Sequence, residues 1–205
     1  MFKRSELKTS AKNKLKGNWG IMVVIFLIYM GAESIIQSLV ESKGLLFSFA
    51  VLILTAPIYL SIAKITLDLS AGEARPQISQ LLYGFEYLFK TIGLHLIMFV
   101  AVGIGMIFFI VPGIIISLMF SQAVYILADN PEINIIDALK ESIRLTKGYK
   151  WNMFILQISF IGLILLGLIT LGIGLLWVSP YMKVTNAELY IYLKNQQLKE
   201  QLNYI

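Results

Sequence analysis

Long apolar runs separated by short polar segments dominate the chain. A helix needs about 20 apolar residues to cross a hydrocarbon core of ~30 Å. Residues 20–39 and 45–67 form two runs of suitable length, and the polar segment 41–44 between them is typical of a short turn. The pattern therefore predicts a first pair of membrane-spanning helices.

The next apolar run is too long for one crossing. Residues 91–127 carry no formal charge, and as a single helix they would be about 56 Å long. The strongest helix-breaking pair in this run is Pro112-Gly113. We therefore predict two spans, 91–111 and 113–127.

The last apolar run must also fold back. Residues 153–192 would form a helix of about 60 Å, and Gly172 and Gly174 offer a turn within it. This divides the run into spans 153–171 and 174–193 and brings the predicted total to six.

The composition agrees with this pattern. The chain is 58% hydrophobic and 14% charged, with a mean hydropathy of +0.77, whereas soluble domains are about 45–50% apolar and about 25% charged. The predicted fold class is all-α: an integral membrane helical bundle of about six transmembrane helices in a single domain over residues 1–205.

The chain also has the pattern of a threefold repeat. Each predicted unit is an amphipathic helix, at 5–16, 79–90 or 134–147, followed by a helical hairpin. Such helices can rest their apolar faces on the inner leaflet, with each nearby lysine worth about 1 kcal/mol against anionic lipid. The alternative is that they are loop helices packed on the bundle. Trp19 and Trp151 are expected to be interface anchors, with ligand stacking as the other reading.

The positive charge lies on one side of the predicted topology. Of the 17 Lys and Arg residues, all except Lys43 fall on the side of the two termini, which the positive-inside rule assigns to the cytoplasm. The net charge of +5 is therefore expected to face anionic inner-leaflet lipids rather than nucleic acid.

Few residues are available for catalysis. The chain has no cysteine and one histidine, His95, which excludes disulfides, a cysteine nucleophile and a multi-histidine metal site. The G-x-S-x-G, H-E-x-x-H and Walker A motifs are absent from the sequence. We expect no enzyme activity, no cofactor and no metal site.

Polar residues inside the apolar spans are the candidate functional positions, because an ionisable group at the bilayer centre costs about 2.5–3.5 kcal/mol. Glu33 is about 20 Å along its helix from Gly20, too deep to reach the surface. A place in a substrate or ion path and a hydrogen-bonded packing role both remain open for it. The candidate intramembrane polar site comprises Glu33, Gln37, Lys64, Asp68, Gln122, Lys183 and Glu188, with Gln157, Asn186 and His95 as further polar positions.

Two of these candidates and a nearby stripe have simpler explanations. Lys64 and Asp68 are four residues apart, so a local ion pair is the alternative to a functional role. A stripe of small residues on the fourth span is expected to pack against another helix, and it consists of Gly113, Ser117 and Ser121.

Several segments together resemble the domain of unknown function 975 family. They begin at Leu15 (Leu-Lys-Gly-Asn-Trp-Gly), Pro112 (Pro-Gly-Ile-Ile), Thr146 (Thr-Lys-Gly), Ser159 (Ser-Phe-Ile-Gly) and Leu171 (Leu-Gly-Ile-Gly), and Pro180-Tyr and Tyr190 follow. The chain departs from the family at Leu163, where we expect many relatives to carry tryptophan. The resemblance implies a multi-span plasma-membrane protein of Gram-positive bacteria, and it implies no activity and no catalytic residues.

Three functions are compatible with these patterns. The leading hypothesis is a non-enzymatic scaffold, regulator or accessory subunit that contacts lipid and another membrane protein. The rival is a small transporter or channel for a lipid-like or amphiphilic solute, since repeats and interrupted helices recur in transporters. An inner-leaflet enzyme using Asp68 and Glu188 is the third.

Overall fold

The computed structural model describes residues 2–40 and 45–202, and within them it contains helices and no strand. The helices in chain order are α1 (Arg4–Leu15), α2 (Trp19–Val40), α3 (Leu45–Ala71), a 3-10 helix (Ile78–Leu82), α4 (Tyr83–Glu86), α5 (Leu88–Phe108), α6 (Ile110–Phe120), α7 (Ala123–Asp129), α8 (Ile135–Thr146), α9 (Lys150–Ile158), α10 (Ile161–Ile169) and α11 (Leu175–Leu202). The predicted all-helical fold class is confirmed.

The central helix of the bundle is α3. Within its apolar segment Ile53–Ala71, 72% of the residues in an 18-residue window are buried, against 17% in the corresponding window of Leu88–Phe108 of α5. Exposed apolar side chains on the surrounding helices are expected where lipid replaces water. Five segments of the described chain are long and apolar enough to cross a membrane: Trp19–Ser38, Ile53–Ala71, Leu88–Phe108, Ile110–Asp129 and Lys150–Ile169.

Helix α11 runs antiparallel to α9 and α10. The Gln157 amide donates to Asn186 Oδ1 at 2.9 Å, the ring centroids of Phe160 and Tyr181 are 5.7 Å apart, and Gly167 packs against the first residue of α11. α11 is not one of the five apolar segments, because polar residues such as Lys183 lower its hydropathy.

One end of the bundle is closed by α1, α8 and the last turns of α11, and we call it the basic end. The Ser10 hydroxyl of α1 donates to Glu188 Oε2 of α11 at 2.7 Å. The Phe2 ring lies 5.8 Å from the Tyr192 ring and 6.1 Å from the Tyr149 ring, just after α8. These contacts fix the N-terminal segment against helices that come much later in the chain.

The apolar faces of α1 and α8 cover the bundle rather than the lipid. The side chains that α1 buries are Leu7, Ala11 and Leu15, and those of α8 are Ala138, Leu139, Ser142, Leu145 and Thr146. For these two helices the alternative reading, a loop helix packed on the bundle, describes the structure. The inner side of these helices is filled by α3, α7 and α11, and Lys12 and Lys140 are exposed on the other side.

The predicted amphipathic helix 79–90 is divided into three pieces, the 3-10 helix, α4 and the start of α5. The division follows from a close approach to α3: a Cβ on Gly84 would lie 1.8 Å from the Pro57 carbonyl oxygen. The Ser61 hydroxyl accepts from Gly84 N at 2.8 Å and lies 2.8 Å from Leu81 O. In contrast to α1 and α8, this segment exposes Phe85 and Phe89.

The first break in the run 91–127 is at Phe109, three residues before the predicted Pro112-Gly113 pair, and a second break separates α6 from α7. Phe109 is extended, with φ −166° and ψ 152°, and caps α6. Pro112 is therefore in the first turn of α6, where backbone N–H groups have no helical partner and proline costs nothing. Gly113 instead allows the two helices to approach, since a Cβ there would be 3.0 Å from Met106 N.

The remaining turns depend on glycine with positive φ. Gly172 (φ 86°) lies in the α10–α11 turn, close to the predicted position. Gly17 (φ 86°) and Gly148 (φ 83°) follow α1 and α8, and each comes after a lysine with nearly the same backbone angles. The amphipathic helices of the first and third predicted units thus end with the same local geometry, while the threefold repeat as a whole stays a prediction.

Candidate functional site

Five polar side chains from four helices meet between the helices of the bundle. The Tyr59 ring of α3 lies 5.8 Å from the Tyr29 ring of α2 and 5.7 Å from the His95 ring of α5. Lys183 Nζ of α11 is 5.1 Å from the centroid of the Tyr59 ring. Glu33 faces the phenols of Tyr29 and Tyr59. We call these five residues the Tyr59 cluster.

Local structure explains why these side chains converge. Tyr29 and Glu33 are four residues apart on α2 and so share one face. The Tyr125 hydroxyl donates to the Lys183 carbonyl at 3.0 Å and fixes this part of α11 against α7. His95 Nδ1 lies 2.9 Å from the Thr91 carbonyl, which orients the ring.

The cluster combines opposite charges with aromatic groups. Glu33 and Lys183 carry opposite charges, and the ammonium beside the Tyr59 ring gains a cation–π contribution. Intramembrane charges are costly unless paired or functional. This arrangement can neutralise the charges internally, and it can also pass a proton or bind the polar part of an amphiphile.

Of the two candidate residues on α2, Glu33 belongs to the cluster and Gln37 does not. Gln37, one turn further along α2, is exposed, whereas Tyr29, one turn earlier, is buried. The structure therefore places Glu33 with Tyr29 rather than with Gln37. No tyrosine is among the predicted site residues, although Tyr29 and Glu33 are four residues apart in one apolar run. This spacing indicates that the two side chains share a helix face.

Lys64 and Asp68 form a local ion pair on α3. Lys64 Nζ lies 2.7 Å from Asp68 Oδ1, and the carboxylate is buried. An i,i+4 pair of this kind satisfies both charges within one helix. The simpler of the two predicted explanations accounts for this geometry.

Gln122 lies at the break between α6 and α7, almost fully buried. The Ser142 hydroxyl of α8 accepts from Gln122 N at 3.2 Å and donates to Met119 O at 2.6 Å. The Ser142 hydroxyl therefore forms hydrogen bonds with two backbone groups at the break, Gln122 N and Met119 O. The Ser61 hydroxyl does the same for Leu81 and Gly84, and sequence reasoning identified neither serine.

Glu188 faces α1. Its Oε2 accepts from Ser10, while its buried Oε1 has no hydrogen-bond partner among the described residues. A cavity of about 220 Å³ adjoins it and is also lined by Lys3 and Glu6. Asp68, the other acid of the enzyme hypothesis, is held separately by Lys64.

The three small residues of the predicted stripe, which begins on α6, differ in what their side chains contact. Gly113 packs closely on Met106 and Gly105 of α5. Ser117 is exposed and its hydroxyl donates to the Ile114 carbonyl of its own helix. Ser121 donates likewise to Leu118 O. Within the chain, close helix packing along this stripe is therefore concentrated at Gly113.

The two predicted anchor tryptophans begin helices that enter apolar segments. Trp19 is the first residue of α2 and is half-buried, and Trp151 follows the first residue of α9 and is 68% exposed. Among residues 2–40 and 45–202, no group of three or more His, Cys, Asp or Glu side chains could hold a metal ion.

Helices of this length and hydropathy, around a buried central helix, are those expected of a helical membrane protein. The family comparison gives a more specific assignment. The sequence model of the family described as "Protein of unknown function (DUF975)" matches residues 1–115 and 94–197. The chain belongs to this family, and the resemblance found in its sequence is confirmed. Comparisons with curated proteins and with solved structures found no match.

Proposed function

We propose that the protein is a non-enzymatic scaffold, regulator or accessory subunit in a bacterial plasma membrane. The observation that supports it is a groove at the basic end, between the end of α8 and the last turns of α11. The groove measures about 300 Å³ and is lined by apolar side chains such as Leu193 and by polar ones such as Arg144, Gln197 and Glu200. Apolar surface with polar neighbours of this kind suits contact with another protein.

The topology in this proposal has six crossings and both termini in the cytoplasm. α11 spans Leu175–Leu202, about 42 Å at 1.5 Å per residue, which exceeds the hydrocarbon core by about 12 Å. Its antiparallel pairing with α9 and α10 supports a sixth crossing. Its final turns would then project into the cytoplasm beside α8 and α1, where the positive-inside rule also places the lysines.

Polar contacts across the bundle favour a fixed structure over one that opens and closes. The Tyr190 hydroxyl donates to Asp129 Oδ2 at 2.7 Å, and Lys194 pairs with the same carboxylate. Together with the Gln157–Asn186 bond, these contacts join α11 to α7 and α9. A scaffold benefits from such rigidity.

A photo-crosslinking residue at Gln197, inside the groove, tests the proposal in native membranes. We expect a reproducible crosslinked protein from this position and none from Lys16, an exposed control position directly after α1. A protein that crosslinks equally from both positions, or purifies alone and moves solute in liposomes, would contradict the scaffold.

The Tyr59 cluster favours a second candidate, a small transporter for a lipid-like or amphiphilic solute. Charged pairs near the bilayer midplane mark substrate and proton paths in many carriers. If the cluster lies on such a path, Glu33→Gln abolishes flux in proteoliposomes, while the exposed control Gln37→Ala leaves it unchanged. Equal flux in both variants removes Glu33 from the mechanism.

A further inference from the structure

A groove on the surface between α1 and α9 has one basic wall and one apolar wall. It measures about 690 Å³, and none of its lining residues is acidic. Lys3, Arg4 and Lys8 of the N-terminal segment form the basic wall, and Trp151 and Ile155 of α9 belong to the apolar wall. It is separate from the Tyr59 cluster and from the groove between α8 and α11.

The groove follows the first turns of an apolar segment. α9 begins the candidate span Lys150–Ile169, and both Trp151 and Ser159 line the groove. These two residues are about 12 Å apart along the helix axis. The groove therefore covers the depth at which a phospholipid changes from headgroup to acyl chain, with an exposed tryptophan at its entrance, where interfacial aromatic residues are common.

Two like charges in the groove are close together. Lys8 Nζ donates to the Ser159 carbonyl at 3.1 Å and lies 4.3 Å from the centroid of the Phe160 ring, so it is held in place. Arg4 is one turn earlier on the same face, where like charges repel. Burial, and then repulsion by Arg4, lowers the pKa of Lys8 below its usual value. An anion between these two side chains would relieve the repulsion.

Glu6, the acidic residue beside the groove, pairs with Lys3 and not with Arg4 or Lys8. Glu6 Oε1 lies 3.2 Å from Lys3 Nζ, and both side chains are largely exposed. Among the described residues, Arg4 forms no ion pair with a carboxylate. The net positive charge of the groove is therefore concentrated at Arg4 and Lys8.

The basic wall is positioned before any ligand arrives. Phe2 is buried against the rings of Tyr149 and Tyr192, and this contact fixes the segment that carries Lys3 and Arg4. A preorganised site loses less side-chain freedom on binding than a flexible one.

We propose that this groove binds the phosphodiester headgroup of an anionic phospholipid. The phosphate lies between Arg4 and Lys8, and an acyl chain follows Trp151 and Ile155. Basic pockets beside transmembrane helices bind anionic headgroups in this way. A soluble anion would use the basic wall alone, whereas a lipid also covers the apolar wall. The inference rests on the proposed position of the basic end at the inner membrane surface.

The test uses the full chain in nanodiscs containing equal amounts of phosphatidylglycerol and phosphatidylcholine. Lipid that stays bound after transfer to detergent is measured by native mass spectrometry. We expect wild type to retain phosphatidylglycerol preferentially. Arg4→Gln should lower this preference about fivefold, the ratio that corresponds to ~1 kcal/mol for one basic residue. Lys16→Gln removes the same charge from the exposed residue that follows α1 and should leave the preference unchanged.

Three results would overturn the lipid site. Equal retention of the two lipids by wild type would exclude an anionic preference. Equal losses in Arg4→Gln and Lys16→Gln would mean general surface attraction without a site at the groove. Arg4-dependent binding of inorganic phosphate in detergent, without lipid preference, would indicate a soluble-anion site. None of these results bears on crosslinking from Gln197, so failure of this inference is distinguishable from failure of the scaffold proposal.

Discussion

Gly84 is the closest point of contact between α4 and the central helix. A Cβ at this position would lie 1.8 Å from Pro57 O and 2.7 Å from Pro57 C, so backbone must move to accept it. We expect Gly84→Ala to destabilise the protein by about 1–3 kcal/mol, as overpacking generally does. Thermal unfolding in detergent measures this loss.

Gly103 provides the matched control for that substitution. It lies inside α5, and a Cβ there would meet nothing within 4 Å. Gly103→Ala should leave the melting temperature unchanged or raise it slightly, because alanine favours the helix. If both variants melt at the same temperature, the contact at Pro57 does not limit stability.

Tyr83, the first residue of α4, gives the stability of the protein a dependence on alkaline pH. Burial, and then the neighbouring Tyr87, raises the pKa of Tyr83 to about 12 from its usual value of 10.0. The folded state thus favours the neutral phenol, and this stabilisation is complete below pH 10 and lost as the pH rises towards 12. Between these values the melting temperature of Tyr83→Phe should fall less steeply than that of wild type. Identical slopes would show that Tyr83 does not contribute.

At the scale of elements, two serine hydroxyls replace backbone hydrogen bonds where helices are interrupted. Ser61 joins Leu81 and Gly84, and Ser142 joins Met119 and Gln122. In both cases the bridged groups are three residues apart, and the serine comes from a helix packed alongside. Interruptions in an apolar environment require such partners, because water is not available there.

Ser142→Ala tests the importance of this bridge. The substitution leaves the buried N–H of Gln122 and the carbonyl of Met119 without their partner, a loss of about 1–3 kcal/mol. The melting temperature should fall, while Ser117→Ala, which removes an exposed hydroxyl, should change it little. Equal melting temperatures would mean that another group satisfies the break.

Apolar run length predicts the helices of this chain well and predicts their interruptions less well. The first predicted span, 20–39, nearly coincides with α2, because hydrophobic length is read directly from sequence. The break before α6 was expected at Pro112 and lies at Phe109, since proline is tolerated in a first helical turn. Interruptions depend on partners from other helices, such as Ser142, which no local pattern contains.

The candidate site was predictable only in part for the same reason. Glu33, Lys183 and His95 are recognisable as isolated polar residues in apolar runs. Their convergence around Tyr59 depends on how α2, α3, α5 and α11 pack, and these helices are far apart in sequence. The groove beside α1 combines residues of its two walls that are separated by most of the chain, so neither wall alone indicates a site.

At the scale of the whole molecule, the proposed topology has a direct test, because the native chain has no cysteine. Single cysteines replacing Lys16 and Lys199 should react with a membrane-impermeant maleimide only after the cells are opened. Lys43→Cys, on the predicted outer turn, should react in intact cells. Labelling of Lys16→Cys and Lys199→Cys from opposite sides would contradict six crossings.

The contact between α1 and α11 has a consequence for biogenesis. Leu7, Ala11 and Leu15 leave the ribosome well before α11, part of the surface that buries them, is translated. Until α11 is made, α1 has only part of its native surroundings, and α3 also lacks its contacts with α11. A nascent chain interrupted before α11 would therefore expose part of the apolar face of α1 beside its charged residues. Membrane quality-control proteases can recognise and degrade such a form.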